Sequence, residues 1–123
     1  MHPFRAAVES QDVEGAIALL ADDVEFRSPV VFKPYEGRDM VGAILRAVFK
    51  VFEDFRYVRE IGAPGASDHV LVFEARVGDR DVQGIDVLRF DADGLIADFT
   101  VMVRPLSAAL ALRDAMGRQL GVA

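Results

Sequence analysis

A strong helical pattern lies in the first half of the chain, between residues 40 and 52. Apolar residues recur there at spacings of three and four, which places them on one helical face: Met40, Val41, Ile44, Leu45, Val48, Phe49 and Phe52. Asp39 is suited to cap this helix, because its carboxylate can accept hydrogen bonds from the first free amides. Asp12 predicts a shorter helix in the same way, and Phe4 and Val8 indicate another just before it.

Alternation of apolar and polar positions dominates the second half, from residue 55 to residue 104. In its clearest stretch one face holds Leu71, Phe73, Ala75 and Val77, and the other holds Val70, Val72, Glu74 and Arg76. Glycine-containing turns divide the region into four strands, which we expect to form an antiparallel sheet. A short strand over residues 24–28 is predicted earlier, after Asp22 and Asp23 end the helical unit. Pro105 suits the first turn of a closing helix.

Helices segregated from an antiparallel sheet predict an α+β fold, here one domain over residues 1–123. The helical segments can cover only one face of such a sheet. We therefore expect a homodimer on the outer face, which carries Val70, Val72, Val87, Thr100 and Met102. Alternatively, the closing helix could fold back and cover this face with Leu106, Leu110 and Met116.

Composition narrows the classes of function. The chain has 123 residues, no cysteine and a formal net charge of −6. Without cysteine it can hold no disulfide, thiolate metal site or cysteine nucleophile. The acidic charge argues against nucleic-acid binding, and no apolar run is long enough to span a membrane. The N-terminal residues do not resemble a signal peptide, so we expect a cytoplasmic protein.

The two histidines make no metal motif, because His2 and His69 are far apart and no carboxylate stands at a matching spacing. His2 is expected to be disordered at the terminus. The sequence predicts neither a metal nor any other cofactor.

Several short motifs, in this order, resemble the SnoaL-like branch of the nuclear-transport-factor-two-like superfamily. They are residues 12–16 (DVEGA), 20–24 (LADDV), 35–38 (YEGR), 87–91 (VLRFD) and 94–96 (GLI). The resemblance covers the whole chain. It implies a cone-shaped fold in which a curved antiparallel sheet wraps on a long helix around an apolar cavity. This scaffold hosts isomerases, hydrolases, cyclases and plain binding domains, so the fold does not define a reaction.

The predicted strand over residues 85–90 has the sequence IDVLRF. This motif is similar to the ketosteroid isomerase strand that carries an oxyanion-hole aspartic acid. The resemblance places Asp86 at that acid, Phe4 at the isomerase's hydrogen-bonding tyrosine and Ser28 at its aspartate base. A phenyl ring cannot donate a hydrogen bond, and a serine hydroxyl is a weak base. We therefore expect no ketosteroid isomerase activity by these residues.

Limonene-epoxide-hydrolase-like chemistry is disfavoured as well. Members with that activity need an Arg-x-Asp pair on one strand and a further Asp on another. Here Arg76 is followed by Val77 and Gly78, and Val101 stands at the matching place on the last strand. A polyketide cyclase needs a cavity acid or histidine, which Asp86 alone would supply.

Asp86 is the predicted catalytic residue. If Leu88 and Phe90 face inward, strand parity turns Asp86 inward too, and burial would then raise its pKa. Otherwise it is a solvated side chain on the outer face. The predicted ligand-binding residues are Phe4, Ser28, Tyr35, Phe73, Leu88, Phe99 and Val101.

The sequence thus predicts a domain that binds a small apolar molecule, with Asp86 as its polar anchor. Isomerase, cyclase and hydrolase activity by general acid–base chemistry stay open. The alternatives are a non-catalytic ligand-binding or dimerisation module, and an assembly unit whose cavity is filled by side chains. A second donor or base close to Asp86 would favour catalysis, and an isolated acid would favour binding.

Overall fold

This computed structural model describes residues 2–121 of the chain, which form four helices and six strands. In chain order they are α1 (Pro3–Glu9), α2 (Val13–Ala18), β1 (Leu20–Arg27), β2 (Tyr35–Glu36), α3 (Arg38–Val51), β3 (Glu53–Ile61), β4 (Asp68–Val77), β5 (Arg80–Phe90), β6 (Ile96–Arg104) and α4 (Leu106–Leu120). The α+β class predicted from the sequence is confirmed.

The six strands form one curved sheet that does not close, in the order β2-β1-β6-β5-β4-β3. Strands β3 to β6 pair with their chain neighbours in antiparallel fashion, as predicted. Strand β1, for which no partner was predicted, joins this sheet by parallel pairing with β6. Parallel pairing needs a long crossover, and the chain between β1 and β6 supplies it.

Two predicted boundaries shift. Strand β1 begins at Leu20, so Asp22 and Asp23 lie inside it and do not end the helical unit. Helix α3 begins at Arg38 with Gly37 as its N-cap, and no side chain caps it. Gly37 adopts a φ of 93°, which glycine tolerates best. Asp39 therefore lies in the first turn, where its charge still suits the helix dipole.

Strand parity sets the inner face of the sheet. Along β4 and β5 every second residue is buried, and Leu71, Phe73, Ala75, Asp86 and Leu88 all point inward. Helix α3 lies against β1 and α4, and its buried residues Val41, Ile44 and Leu45 join the same core. The cavity described below lies between these helices and this face.

Helix α4 contacts α3, β4, β5 and β6. Its Ala108 and Leu112 are buried in the core on the cavity side, whereas Leu106 and Leu110 are exposed. The helix thus closes the cavity, and the outer sheet face is left without the cover that the closing helix could have given.

His2 is ordered, contrary to expectation. Its Nδ1 accepts a hydrogen bond of 3.0 Å from the Phe4 amide and so caps α1. Its ring packs against those of His69 and Phe90, at centroid distances of 5.2 and 4.8 Å. Between residues 2 and 121, no helix is both long and apolar enough to cross a membrane.

Candidate functional site

A cavity of about 380 Å³ lies between α3, α4 and the inner sheet face. It is lined mainly by aromatic and aliphatic side chains, among them Phe26, Ile44, Leu45, Val48, Phe49, Phe52, Phe55, Leu112 and Met116. The cavity reaches the surface near Gln11, Asp54 and Leu120, which are exposed and also line it. An assembly unit with a filled interior is therefore excluded.

Asp86 lies on the wall of this cavity. It belongs to β5 and is only 5% exposed, with its carboxylate on the inner side of the sheet. Burial raises the pKa of Asp86 from 3.8 to about 7, because the ionised form loses its hydration, and a hydrogen bond from Tyr57 opposes part of this rise. Both protonation states of Asp86 are therefore populated near neutral pH.

Tyr57 is the residue that sequence reasoning missed. Its hydroxyl donates a buried hydrogen bond of 2.6 Å to Oδ2 of Asp86. Burial, followed by the charge of Asp86, raises the pKa of Tyr57 well above 10, so the phenol keeps its proton. The two groups form a donor–acid pair within a mainly apolar wall.

The pair spans three strands. Tyr57 pairs with Phe73 on β4, and Phe73 pairs with Gly84 on β5, two residues before Asp86. A side chain on β3 must reach across β4, since neighbouring strands lie about 4.8 Å apart. The one local signal was that Tyr57 shares the inner face of β3 with Phe55 and carries a hydroxyl.

Six of the seven predicted ligand-binding residues line the cavity. These are Phe4, Ser28, Tyr35, Phe73, Phe99 and Val101. The seventh, Leu88, does not line it. Leu88 is completely buried and pairs with His69 and Phe99, so its side chain belongs to the packed core and has no surface on the cavity.

The two positions matched to ketosteroid isomerase have different roles here. Phe4 packs edge-to-face on Phe99, at a centroid distance of 5.3 Å, and is part of the apolar wall. The Ser28 hydroxyl accepts a hydrogen bond of 3.0 Å from the Val30 amide and so holds a turn. The donor that Phe4 lacks is present in Tyr57, whereas no basic side chain within residues 2–121 forms a hydrogen bond with the Ser28 hydroxyl.

Two further carboxylates line the cavity within residues 2–121, and both lie at its surface-exposed rim. Glu9 pairs with Arg5 at 3.2 Å, and Asp54 pairs with Arg76 at 3.1 Å. These ion pairs hold the two carboxylates in place at the opening, while Asp86 lies deeper in the wall.

No group of three or more His, Asp or Glu side chains among residues 2–121 is arranged to hold a metal. His69 is buried, and its Nε2 lies 3.1 Å from the carbonyl oxygen of Ala66. It does not line the Asp86 cavity.

The fold and the cavity define a class of small α+β domains with a curved sheet around an apolar pocket. The model of the SnoaL-like domain family matches residues 2–99, and the chain belongs to this family. No curated protein matches the chain.

Three solved structures illustrate the similarity. A steroid delta-isomerase from Pseudomonas aeruginosa is 47% identical, covers 94% of this chain and 85% of its own, and superposes with a TM-score of 0.89. An uncharacterized bacterial protein with a cystatin-like fold, from Silicibacter pomeroyi DSS-3, is 40% identical, with coverages of 98% and 87% and a TM-score of 0.90. An NTF-2 like protein of unknown function from Burkholderia xenovorans LB400 is 17% identical, with coverages of 82% and 77% and a TM-score of 0.68, and shows the fold alone.

Proposed function

We propose that the cavity binds a small apolar molecule that carries a carbonyl oxygen, and that Asp86, held by Tyr57, binds that oxygen and transfers a proton to it. The observation that carries the proposal is the buried hydrogen bond of 2.6 Å from Tyr57 to Asp86 in an aromatic-lined cavity. Most of the ligand's surface would bury against apolar walls, and the pair would fix its orientation.

The protonation state of Asp86 determines what the pair can bind. With Asp86 protonated, Tyr57 donates to one carboxyl oxygen, and the acid proton is free to bind a ligand carbonyl. With Asp86 ionised, the same position accepts a hydrogen bond, as from a hydroxyl or an enol. A pKa of about 7 lets one group serve in both states, which suits general acid–base chemistry.

The reaction type we favour is enolisation, the first step of an isomerisation. Asp86 transfers its proton to the carbonyl oxygen, while a rim carboxylate takes a proton from the adjacent carbon, so that an enol, an ionised Asp86 and a protonated rim carboxylic acid result. Glu9 and Asp54 are the candidates for the rim base, since both line the cavity and are held by arginines. The P. aeruginosa structure described as a steroid delta-isomerase supports this reaction type over a cyclase or a hydrolase.

Binding is tested with 2-tetralone, an apolar bicyclic ketone, against tetralin, which has the same skeleton without the oxygen. We expect 2-tetralone to bind more tightly below pH 7 and to lose about tenfold in affinity per pH unit above it, because the donor proton is lost. Asp86→Asn keeps amide donors and should remove this pH dependence. Equal affinity for the two ligands, or a flat profile in the unmodified protein, would contradict the proposal.

Catalysis is tested separately by exchange of the protons next to the 2-tetralone carbonyl for deuterium, followed by NMR. The unmodified protein should accelerate the exchange, and Asp86→Asn should bind the ketone without accelerating it, since an amide transfers no proton. Glu9→Gln and Asp54→Asn identify the rim base. Binding without exchange in the unmodified protein would favour the second candidate, a non-catalytic binding module.

We also infer a homodimer through the outer sheet face. Met102 is 55% exposed there, and Val70, Val72, Val87 and Thr100 are half-buried beside it. A self-complementary pairing would cover this face with one surface in both partners.

A further inference from the structure

The loop between β1 and β2, residues 28–34, carries the most exposed large apolar side chain in the described part of the chain. Phe32 is 100% exposed, and its neighbour Val31 is exposed as well. A completely exposed phenyl ring next to a second apolar side chain gains free energy whenever a partner surface covers it.

This loop is continuous with the cavity wall. Ser28, Pro29 and Val30 line the cavity on one side of Phe32, and Tyr35 lines it on the other. Two residues span at most about 7 Å, so the backbone of Phe32 must lie within that distance of Val30. The exposed ring is therefore tethered beside the cavity from both ends.

Few bonds hold the loop in its present conformation. Within residues 28–34 a single hydrogen bond forms, from the Val30 amide to the Ser28 hydroxyl. Pro29 and Pro34 have no amide proton to donate. A change of conformation in the middle of the loop would thus break no backbone hydrogen bond.

A lipid surface fits the loop less well. Lys33 is the one cation among residues 28–34, and the chain carries a formal net charge of −6, which an anionic membrane would repel. Because the flanking residues line the cavity, an apolar molecule bound there would lie beside the loop.

We propose that Phe32 is a further ligand-binding residue, which the 28–34 loop brings over the occupied cavity so that its ring covers the ligand. This inference rests on the proposed function, because it requires a bound apolar molecule. The loop would exclude water from the Asp86–Tyr57 pair while the ligand is present, and would open for release.

The chain contains no tryptophan, so a Phe32→Trp variant carries a single reporter. Val58→Trp is the matched control, because Val58 is also exposed and follows Tyr57 on β3, on the opposite face of the strand. Both variants are titrated with 2-tetralone, and calorimetry on the same samples measures binding. We expect the emission of the Phe32→Trp variant to shift to shorter wavelength along the calorimetric curve, and that of the control to stay unchanged.

Three results would overturn the inference. An unshifted emission from Phe32→Trp while calorimetry shows 2-tetralone bound removes the loop's role and leaves the proposed function standing. Absence of binding heat in the unmodified protein removes both. A blue shift with phosphatidylcholine vesicles alone, or with protein concentration alone, assigns Phe32 to a membrane or to a second copy.

Affinity gives an independent readout. Phe32→Ala should weaken 2-tetralone binding about tenfold, mainly through faster dissociation, since the covering phenyl ring removes apolar surface of the ligand from water. Val58→Ala should leave the affinity unchanged. Equal dissociation constants for Phe32→Ala and the unmodified protein would contradict the proposal.

Discussion

At the scale of single residues, Asp86 combines two unfavourable features, a buried position and an ionisable side chain. Its carboxyl group has one hydrogen-bonding side-chain partner within residues 2–121, the Tyr57 hydroxyl, in a mainly apolar wall. Burial of an acid with so little compensation lowers the stability of the fold wherever the unfolded chain would be ionised. Such a feature is typical of functional sites.

Replacing Asp86 by Asn tests this destabilisation. Between pH 4 and 7 the native state keeps a proton that the unfolded state has lost, so the free energy of unfolding falls as the pH rises and levels off above pH 7. The difference between a pKa of about 7 and 3.8 corresponds to about 4 kcal/mol. Relative to the unmodified protein, Asp86→Asn should gain about this much between pH 4 and pH 7 in urea unfolding. A difference that does not change with pH would be evidence against a buried, neutral Asp86.

How much of the site could be predicted differs between its two central residues. Alternation along β5 placed Asp86 with the inward residues, because parity within one strand is a local property of the sequence. The partnership with Tyr57 depends on the register of three strands and joins residues 29 positions apart. A local pattern contains no information on that register, so Tyr57 was visible only as a strand residue.

At the scale of elements, the packing of the inner sheet face requires a glycine at position 84, because a side chain there would collide with its neighbours. A Cβ there would lie 2.6 Å from Cε2 of Phe73 and 2.8 Å from the carbonyl oxygen of Met102. Phe73 in turn stacks on Phe55 at a centroid distance of 4.8 Å. Gly84 thus makes room for the aromatic wall next to the Asp86–Tyr57 pair.

Gly84→Ala should therefore destabilise the protein by about 2 kcal/mol and displace Phe73, since overpacking forces neighbours out of their rotamers. Gly42→Ala, in the middle of α3, is the control. Its Cβ would meet Ile17 at 3.4 Å, an ordinary contact, and alanine favours a helix by up to about 1 kcal/mol. Thermal unfolding measures the stability of both variants. A Gly84→Ala protein as stable as Gly42→Ala would contradict the claim that Gly84 makes room for the aromatic wall of the cavity.

Sequence patterns predicted some elements of the fold but not how all of the strands pair. The apolar residues spaced three and four apart in α3, and the alternation of apolar and polar residues in β4, predicted those elements well. Each pattern arises because one face of the element is buried. The parallel contact of β1 with β6 could not be predicted in this way. It joins Phe26 to Phe99 across most of the chain, and a single strand's pattern does not specify its neighbour.

At the scale of the whole molecule, the proposed homodimer uses the outer sheet face. Helices α3 and α4 lie on the cavity side, and the charged residues of the outer face already pair within the chain, as Arg56 does with Glu74 and Arg89 with Asp68. Apolar contacts would therefore provide most of the affinity of a dimer, since these charges have intramolecular partners.

Light scattering at micromolar concentration should give twice the mass of one chain. Met102→Glu should shift the protein towards the monomer, because it places a charge in the middle of the proposed interface. Leu106→Glu, at an exposed position on α4, should leave the mass unchanged. A monomer mass for the unmodified protein would rule out the dimer.

The central claim is that a buried carboxylic acid, held by Tyr57, binds the ligand's oxygen in this cavity. Its most direct test is a pH titration of the Asp86 carboxyl carbon by NMR in the protein labelled with 13C-aspartate, assigned by its loss in Asp86→Asn. We predict a pKa of about 7 for Asp86, and a still higher value in Tyr57→Phe, because the Tyr57 hydrogen bond favours the ionised form. A pKa near 4 that Tyr57→Phe leaves unchanged would contradict the account.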